Sequence, residues 1–140
     1  MQYAEKSTIV DAPIAASYEL WKRVEEWPRF LKAIREVRRI DDTCFSWKAE
    51  RAGMECEAIA EITLLIPERR IAWRTISGAR NSGLVVFGEE PGGKTRISFQ
   101  MRYEPDAGWQ NPQVVAERLE FYLACFKEHI ENRNPKPRPG

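Results

Sequence analysis

Few side chains in this sequence can do acid–base, nucleophilic or metal chemistry. The one histidine, His129, lies near the end of the chain, so neither a multi-histidine metal site nor a relay of imidazoles can be assembled, and a structural or surface role is expected for it. Cys44, Cys56 and Cys125 are odd in number, far apart and without a CxxC spacing. That pattern argues against a disulfide framework or structural zinc and for reduced cytoplasmic thiols. Glu55, Glu57 and Glu61 invite a paired-carboxylate reading, but strand alternation sets them opposite an alanine and isoleucine face, toward solvent. There is no GxSxG elbow, P-loop or GxGxxG, and Gly92-Gly93 reads as a hairpin turn, so no cofactor and no metal are expected.

The polar groups that remain are neutral hydrogen bonders: Thr75, Asn81, Tyr103 and Tyr122, with Cys56 as a weaker candidate. Each also has a structural explanation, since a buried Tyr hydroxyl commonly finds a backbone acceptor and Thr and Asn cap strand ends. Together they suit the carbonyls or hydroxyls of an oxygenated aromatic ligand. Around them the chain is rich in aromatics, which must be brought onto one surface by regular elements.

Residues 3–11 read as a strand that runs into a helix over 13–25, with Pro13 in its first turn and Ala16, Leu20, Trp21 and Val24 on one stripe. Trp27-Pro28 should break this helix before a second short one. Two strands, 35–42 and 43–50, should meet at Asp41-Asp42, the second setting Phe45, Trp47 and Ala49 on one face. The next strand has the clearest phase, with Cys56, Ala58, Ala60, Ile62 and Leu64 on one side. Strands over 70–76 and 81–90 continue it, pointing Ile71, Trp73 and Thr75, then Asn81, Gly83, Val85 and Phe87, inward. The last strand alternates Ile97, Phe99, Met101 and Tyr103 against Arg96, Ser98, Gln100 and Arg102. A long helix over 112–132 follows, with Asn111 as N-cap and Val115, Leu119, Tyr122, Leu123, Phe126 and Ile130 as its stripe. Residues 134–140 are Pro-rich and predicted to be a flexible tail, leaving 1–133 as a single domain.

Strand, two helices, six strands and a long helix call for an α+β architecture with the helices on one face of an antiparallel sheet. A chain of 140 residues buries roughly 68% of its unfolded surface, enough for a core that also walls a cavity. With 22 basic and 21 acidic residues the net charge is +1, so no field attracts nucleic acid or an anionic membrane. No segment approaches the roughly 20 apolar residues of a membrane span. A cytoplasmic protein, monomer or homodimer, without integral membrane contact, is expected.

Five stretches carry a resemblance. They are Ile9-Val-Asp-Ala-Pro-Ile-Ala-Ala-Ser-Tyr-Glu-Leu-Trp21 with Glu26-Trp-Pro-Arg-Phe30, Arg70-Ile-Ala-Trp-Arg74, the run from Gly78 to Phe87, Pro91-Gly-Gly-Lys-Thr-Arg96, and Tyr103-Glu-Pro105. Over nearly the whole chain they resemble the START/Bet v1-like (SRPBCC) superfamily, in its bacterial polyketide cyclase/dehydrase branch. The resemblance implies a helix-grip fold, a curved seven-stranded sheet around the C-terminal helix. It also implies a cavity between sheet and helix for a hydrophobic, polycyclic or polyketide-like small molecule. Trp27, Phe30, Phe45, Trp47, Ala58, Ala60, Ile62, Trp73, Val85, Phe87, Phe99, Met101, Tyr122 and Phe126 are the expected wall, and Tyr103, Asn81 and Thr75 the expected donors to developing oxyanions.

The family's aromatase/cyclases carry arginines on neighbouring central strands. The matching positions here are apolar, within Leu64 to Ile66, and near Thr75, while Arg74 is one residue off and should point outward. Two alternatives stay open. One is a non-catalytic lipid or quinone carrier, since the superfamily's coenzyme Q-binding proteins share the Trp-Pro-x-Phe element. The other is a protein-binding module of the ribosome-association toxin type, using an outer basic patch of Arg35, Arg38, Arg39, Arg96 and Arg102.

Overall fold

The alternating segments build seven strands, β1 (Gln2–Val10), β2 (Ile34–Arg39), β3 (Cys44–Arg51), β4 (Met54–Ile66), β5 (Arg70–Ser77), β6 (Asn81–Glu90) and β7 (Lys94–Tyr103). A computed structural model describes residues 2–51, 54–78, 80–105 and 111–133; the expected tail, 134–140, lies outside the described residues. All strand pairs are antiparallel, in the order β1-β7-β6-β5-β4-β3-β2. From β2 to β7 each strand therefore pairs with the next along the chain. The single crossover, from β1 to β2, is made by α1 (Ile14–Lys22), a 3-10 turn (Val24–Glu26) and α2 (Trp27–Phe30). The sheet curves around α3 (Pro112–Arg133), which packs along β1, and the core fills the space between them. This is the helix-grip fold. Among the described residues no helix is long and apolar enough to cross a membrane.

Local chemistry explains the boundaries. Asn111 caps α3 through its side-chain oxygen, which accepts the Val114 N–H at 3.0 Å. Asp41 Oδ1 accepts the N–H groups of Thr43 and Cys44 at 2.9 and 2.8 Å, a side-chain-stapled turn between β2 and β3. Gly92 and Gly93 both have positive φ, 80° and 74°, as the tight β6–β7 turn requires.

Two expectations need correction. The first helix ends not at Trp27-Pro28 but at Arg23, whose φ and ψ of −82° and 80° leave the helical region; Pro28 then sits in the first turn of α2, where no N–H is needed. In β4 the expected phase holds through Ile62, which pairs with Trp73. A bulge then shifts the register, so that Leu64 pairs with Ala72 and stands 37% exposed on the outer face. One extra residue in a strand flips every side chain beyond it.

Candidate functional site

Four aromatic rings form a closed circuit between the sheet and the helices. Trp21 of α1 meets Trp27 at 6.1 Å, Trp27 meets Trp73 of β5 at 5.6 Å, Trp73 meets Phe99 of β7 at 5.6 Å, and Phe99 returns to Trp21 at 5.7 Å. Three of these contacts are edge-on, the arrangement ring quadrupoles favour, each worth about 0.5–1.5 kcal/mol beyond burial. The Trp27 indole N–H donates to the Trp21 carbonyl at 3.1 Å, locking the α1–α2 corner onto the circuit. Gly83 of β6 makes room for Trp73, because a Cβ there would lie 2.3 Å from the indole Cζ2.

These four rings line a cavity of about 50 Å³, whose wall is completed by Leu31, Ile34, Trp47, Asn81, Met101, Arg118 and Tyr122. Only Trp47 and Arg118 among them are not buried. The space admits a few water molecules, far below the roughly 300–1,000 Å³ of small-molecule sites. A polycyclic ligand fits only if wall side chains move.

The polar groups come from three strands and a helix. Thr75 Oγ1 donates to the Asn81 carbonyl at 3.1 Å and accepts the Asn81 N–H at 3.0 Å. It thereby holds the start of β6 at the cavity edge. Burial pushes the Tyr122 phenol pKa above its ordinary value of 10.0, with the Arg118 charge opposing, so the hydroxyl is a neutral donor at physiological pH. Arg118, from α3, reaches β7, where its Nη2 lies 3.6 Å from Met101 Sδ.

Of the expected wall, Trp27, Trp47, Trp73, Phe99, Met101 and Tyr122 line the cavity, as does Asn81. Phe30, Phe45 and Phe126 instead pack behind the circuit: Phe45 edge-on to Trp27 at 5.4 Å, Phe30 and Phe126 against Trp21 at 6.1 and 4.8 Å. Ala58, Ala60 and Val85 are core, Ile62 packs against it, and Phe87 lies against Tyr18 of α1. Tyr103 is buried opposite Asn81 in the β6–β7 register without lining the cavity, and the Thr75 hydroxyl bonds backbone rather than facing it. Large side chains at these inward positions fill the interior that the phase alone leaves open.

Trp21, Leu31, Ile34 and Arg118 were not among the expected wall residues. Trp21 sits in the α1 stripe, and Arg118 lies three residues after Val115 and four before Tyr122, so an arginine inside an apolar helical stripe was the readable sign. Leu31 and Ile34 follow α2 with no periodicity to mark them.

Among the described residues the five arginines expected to form a basic patch do not join on the outer face. Arg35, Arg38 and Arg39 belong to β2 at one edge, and Arg96 and Arg102 to β7, five strands away. Four of these arginines are ion-paired, Arg35 with Glu50, Arg38 with Glu36, Arg39 with Glu25 and Arg96 with Glu90. Arg74 pairs with Glu61 across β4 and β5, pointing away from the cavity as expected. A shallow outer depression of about 450 Å³ lies between Tyr3, Arg70, Arg74 and Arg102, but it is a gap among side chains standing on the sheet rather than an interior site.

Fold and cavity place the protein among the START/Bet v1-like helix-grip domains. Residues 10–121 match the family described as polyketide cyclase / dehydrase and lipid transport, and the chain belongs to that family. It is 31% identical to an uncharacterized 17.2 kDa protein of Streptomyces lincolnensis, over 95% of this chain and 92% of the relative. Among solved structures it resembles the Zhui aromatase/cyclase of a Streptomyces species, with TM-score 0.78 and 18% identity over 94% of each chain. It also resembles a START superfamily protein of Mycobacterium smegmatis, with TM-score 0.75 and 14% identity over 94% of this chain and 95% of that one.

Proposed function

We propose that this protein encloses a hydrophobic, polycyclic or polyketide-like molecule and promotes its cyclisation and dehydration without a cofactor, in the cytoplasm. The observation that carries the reading is the closed aromatic circuit with Asn81 and Tyr122 set into the same wall. In an intramolecular aldol step an α-carbon bonds to a carbonyl carbon and its proton passes, through water, to the carbonyl oxygen. Loss of that hydroxyl with a neighbouring hydrogen releases water. The cavity would contribute by folding the chain into a reactive conformer, an effect worth several kcal/mol, and by donating hydrogen bonds to the developing oxyanion from Asn81 and Tyr122. Thr75 and Tyr103 would act by holding Asn81, one through its backbone and one across the β6–β7 register.

A carrier of lipids or quinones is the second reading, favoured by the wall's composition: among its described residues there is no carboxylate, histidine or lysine to serve as a base. A tryptophan-fluorescence titration separates the readings, because four of the five tryptophans line the cavity. Selective micromolar binding of polycyclic phenols is expected. Binding of quinones or fatty acids alone would establish the carrier instead, and no response to any class would overturn both. For the catalytic reading, Asn81→Ala should lower turnover by 10-fold or more, on the order of one lost oxyanion donor, with a much smaller change in unfolding free energy. Equal loss of both would remove Asn81 from the chemistry.

A further inference from the structure

Two surfaces remote from the cavity are complementary to each other. On the outer face of the sheet the register sets Arg102 of β7 beside Ser82 of β6, and Ser82 beside Arg74 of β5. The adjacent row is Gln100, Leu84, Ala72 and Leu64. With Tyr3 and Arg70 these residues border the outer depression, whose middle is small or apolar and whose three cations are arginines. Arg74 is paired with Glu61 and the Tyr3 hydroxyl donates to Glu5, but among the described residues Arg70 and Arg102 make no ion pair. Two guanidinium groups thus flank an apolar hollow without a carboxylate to neutralise them.

The second surface is the solvent side of α3. Glu117, Phe121, Ala124 and Glu128 are all exposed and recur at steps of four, three and four residues, which sets them in one stripe along the helix. Phe121 stands 45% exposed between the two carboxylates. Gln113 donates to Glu117 Oε1 at 3.2 Å, which leaves the other oxygen open, and Glu128 makes no ion pair among the described residues. The neighbouring Glu120 is engaged by Lys6 at 3.0 Å. A single exposed aromatic is ordinary. An aromatic between two acids becomes informative when the same molecule carries an apolar hollow between two arginines, since aromatic and arginine side chains are enriched where proteins meet.

The two surfaces also match in length. Glu117 and Glu128 stand three helical turns apart, about 16 Å at ~1.5 Å per residue. Arg70 precedes Arg74 by four residues on β5, and Arg74 is two strands from Arg102, so the Arg70 and Arg102 Cα atoms are about 16 Å apart at ~3.3 Å per residue and ~4.8 Å per strand. We propose that copies of this chain associate head to tail, the α3 stripe of one lying across β5 to β7 of the next. Phe121 then sits against Leu84 and Ala72, and Glu117 and Glu128 each meet one of the two arginines. Because α3 packs on the inner side of the sheet, its exposed stripe and the outer depression face opposite ways. Two copies can therefore make the contact only once, and association is open-ended rather than a closed dimer. Arg70, Arg102, Glu117, Phe121 and Glu128 stand apart from the inner cavity, so the contact is independent of what that cavity binds.

Sedimentation equilibrium of the full chain reads this association directly. At ~50 mM salt the average mass should climb with protein concentration and pass about twice the monomer mass near ~1 mM protein, as a small, weak contact allows. The association constant should fall about 5-fold or more at ~500 mM salt, where the charges are screened. Arg70→Glu with Arg102→Glu, and separately Glu117→Lys with Glu128→Lys, should each leave the protein monomeric, because each sets like charges against one another. An equimolar mixture of the two variants should associate again, since each reversed face now complements the other. Phe121→Ala should weaken association about 10-fold, as loss of a largely buried ring does. All five side chains are exposed, and unchanged far-ultraviolet dichroism establishes that the variants fold. A wild type that stays monomeric, that stops at a dimer, or that associates no better than its charge-reversed variants overturns the proposal. So does a mixture that remains monomeric, or an unchanged constant in Phe121→Ala.

Discussion

Thr75 and Gly83 show how single residues prepare the site without touching a ligand. The Thr75 hydroxyl serves as donor and acceptor to one peptide group, so Thr75→Val removes two hydrogen bonds at the edge of Asn81 while keeping the side-chain shape. We expect a loss of about 1–2 kcal/mol in denaturant unfolding and a weaker ligand response, because Asn81 loses its support. Unchanged stability would mean that water replaces the hydroxyl without cost. Gly83 acts by omission. Gly83→Ala must displace the Trp73 indole from the circuit, with an expected cost of about 1–3 kcal/mol and an altered tryptophan emission and near-ultraviolet dichroism. An unaltered spectrum would show that the backbone, not the ring, absorbs the methyl group.

At the scale of elements, α3 is the wall that must stay in register with the sheet, and it is fastened at both ends. Asn111→Ala should remove the N-cap at a cost of about 1 kcal/mol, seen as a lower thermal midpoint. At the far end Glu131 Oε2 accepts the Asp11 N–H at 2.8 Å and Lys127 Nζ at 2.9 Å, joining α3 to the β1–α1 corner. Burial raises the Glu131 pKa, but the hydrogen bonds from Lys127 and Asp11 outweigh it and hold the carboxyl below its ordinary value of 4.5. A depressed carboxylate pKa stabilises the fold fully above pH 4.5, and the contribution is lost as pH falls through the folded value. Glu131→Gln should therefore flatten the acid side of the stability profile, measured as urea midpoint against pH. A profile parallel to wild type below pH 4.5 would exclude Glu131 as the linked group. Elements also explain the one misplaced strand segment: the β4 bulge lies where Leu64, Leu65 and Ile66 are all apolar, so no polar alternation reports the change of face.

For the whole molecule, the cavity of about 50 Å³ means that binding must open the interior, so ligand and fold are thermodynamically linked. A ligand at 100 times its dissociation constant should stabilise the protein by about 2.7 kcal/mol, and the thermal midpoint should rise with ligand concentration. Absence of such a rise with a tryptophan-quenching ligand would mean that the ligand does not bind the folded state in preference to the unfolded chain. The sequence by itself determined the strand faces up to the β4 bulge, the α3 stripe and its cap, the turn at Gly92-Gly93 and the outward direction of Arg74, because periods of 2 and 3.6 and turn chemistry are local properties. It also pointed to Trp27, Trp47, Trp73, Phe99, Met101 and Tyr122 as inward residues. Only the tertiary structure decided which inward residues meet at a cavity and which merely fill the core, since Phe30, Phe45, Phe87 and Phe126 share the pattern of those that line it. It alone brought Arg118 into the cavity wall and set β2 and β7 on distant parts of the sheet. Those outcomes depend on how α3 is rotated against seven strands and on strand order, and neither is written in the periodicity of any one segment.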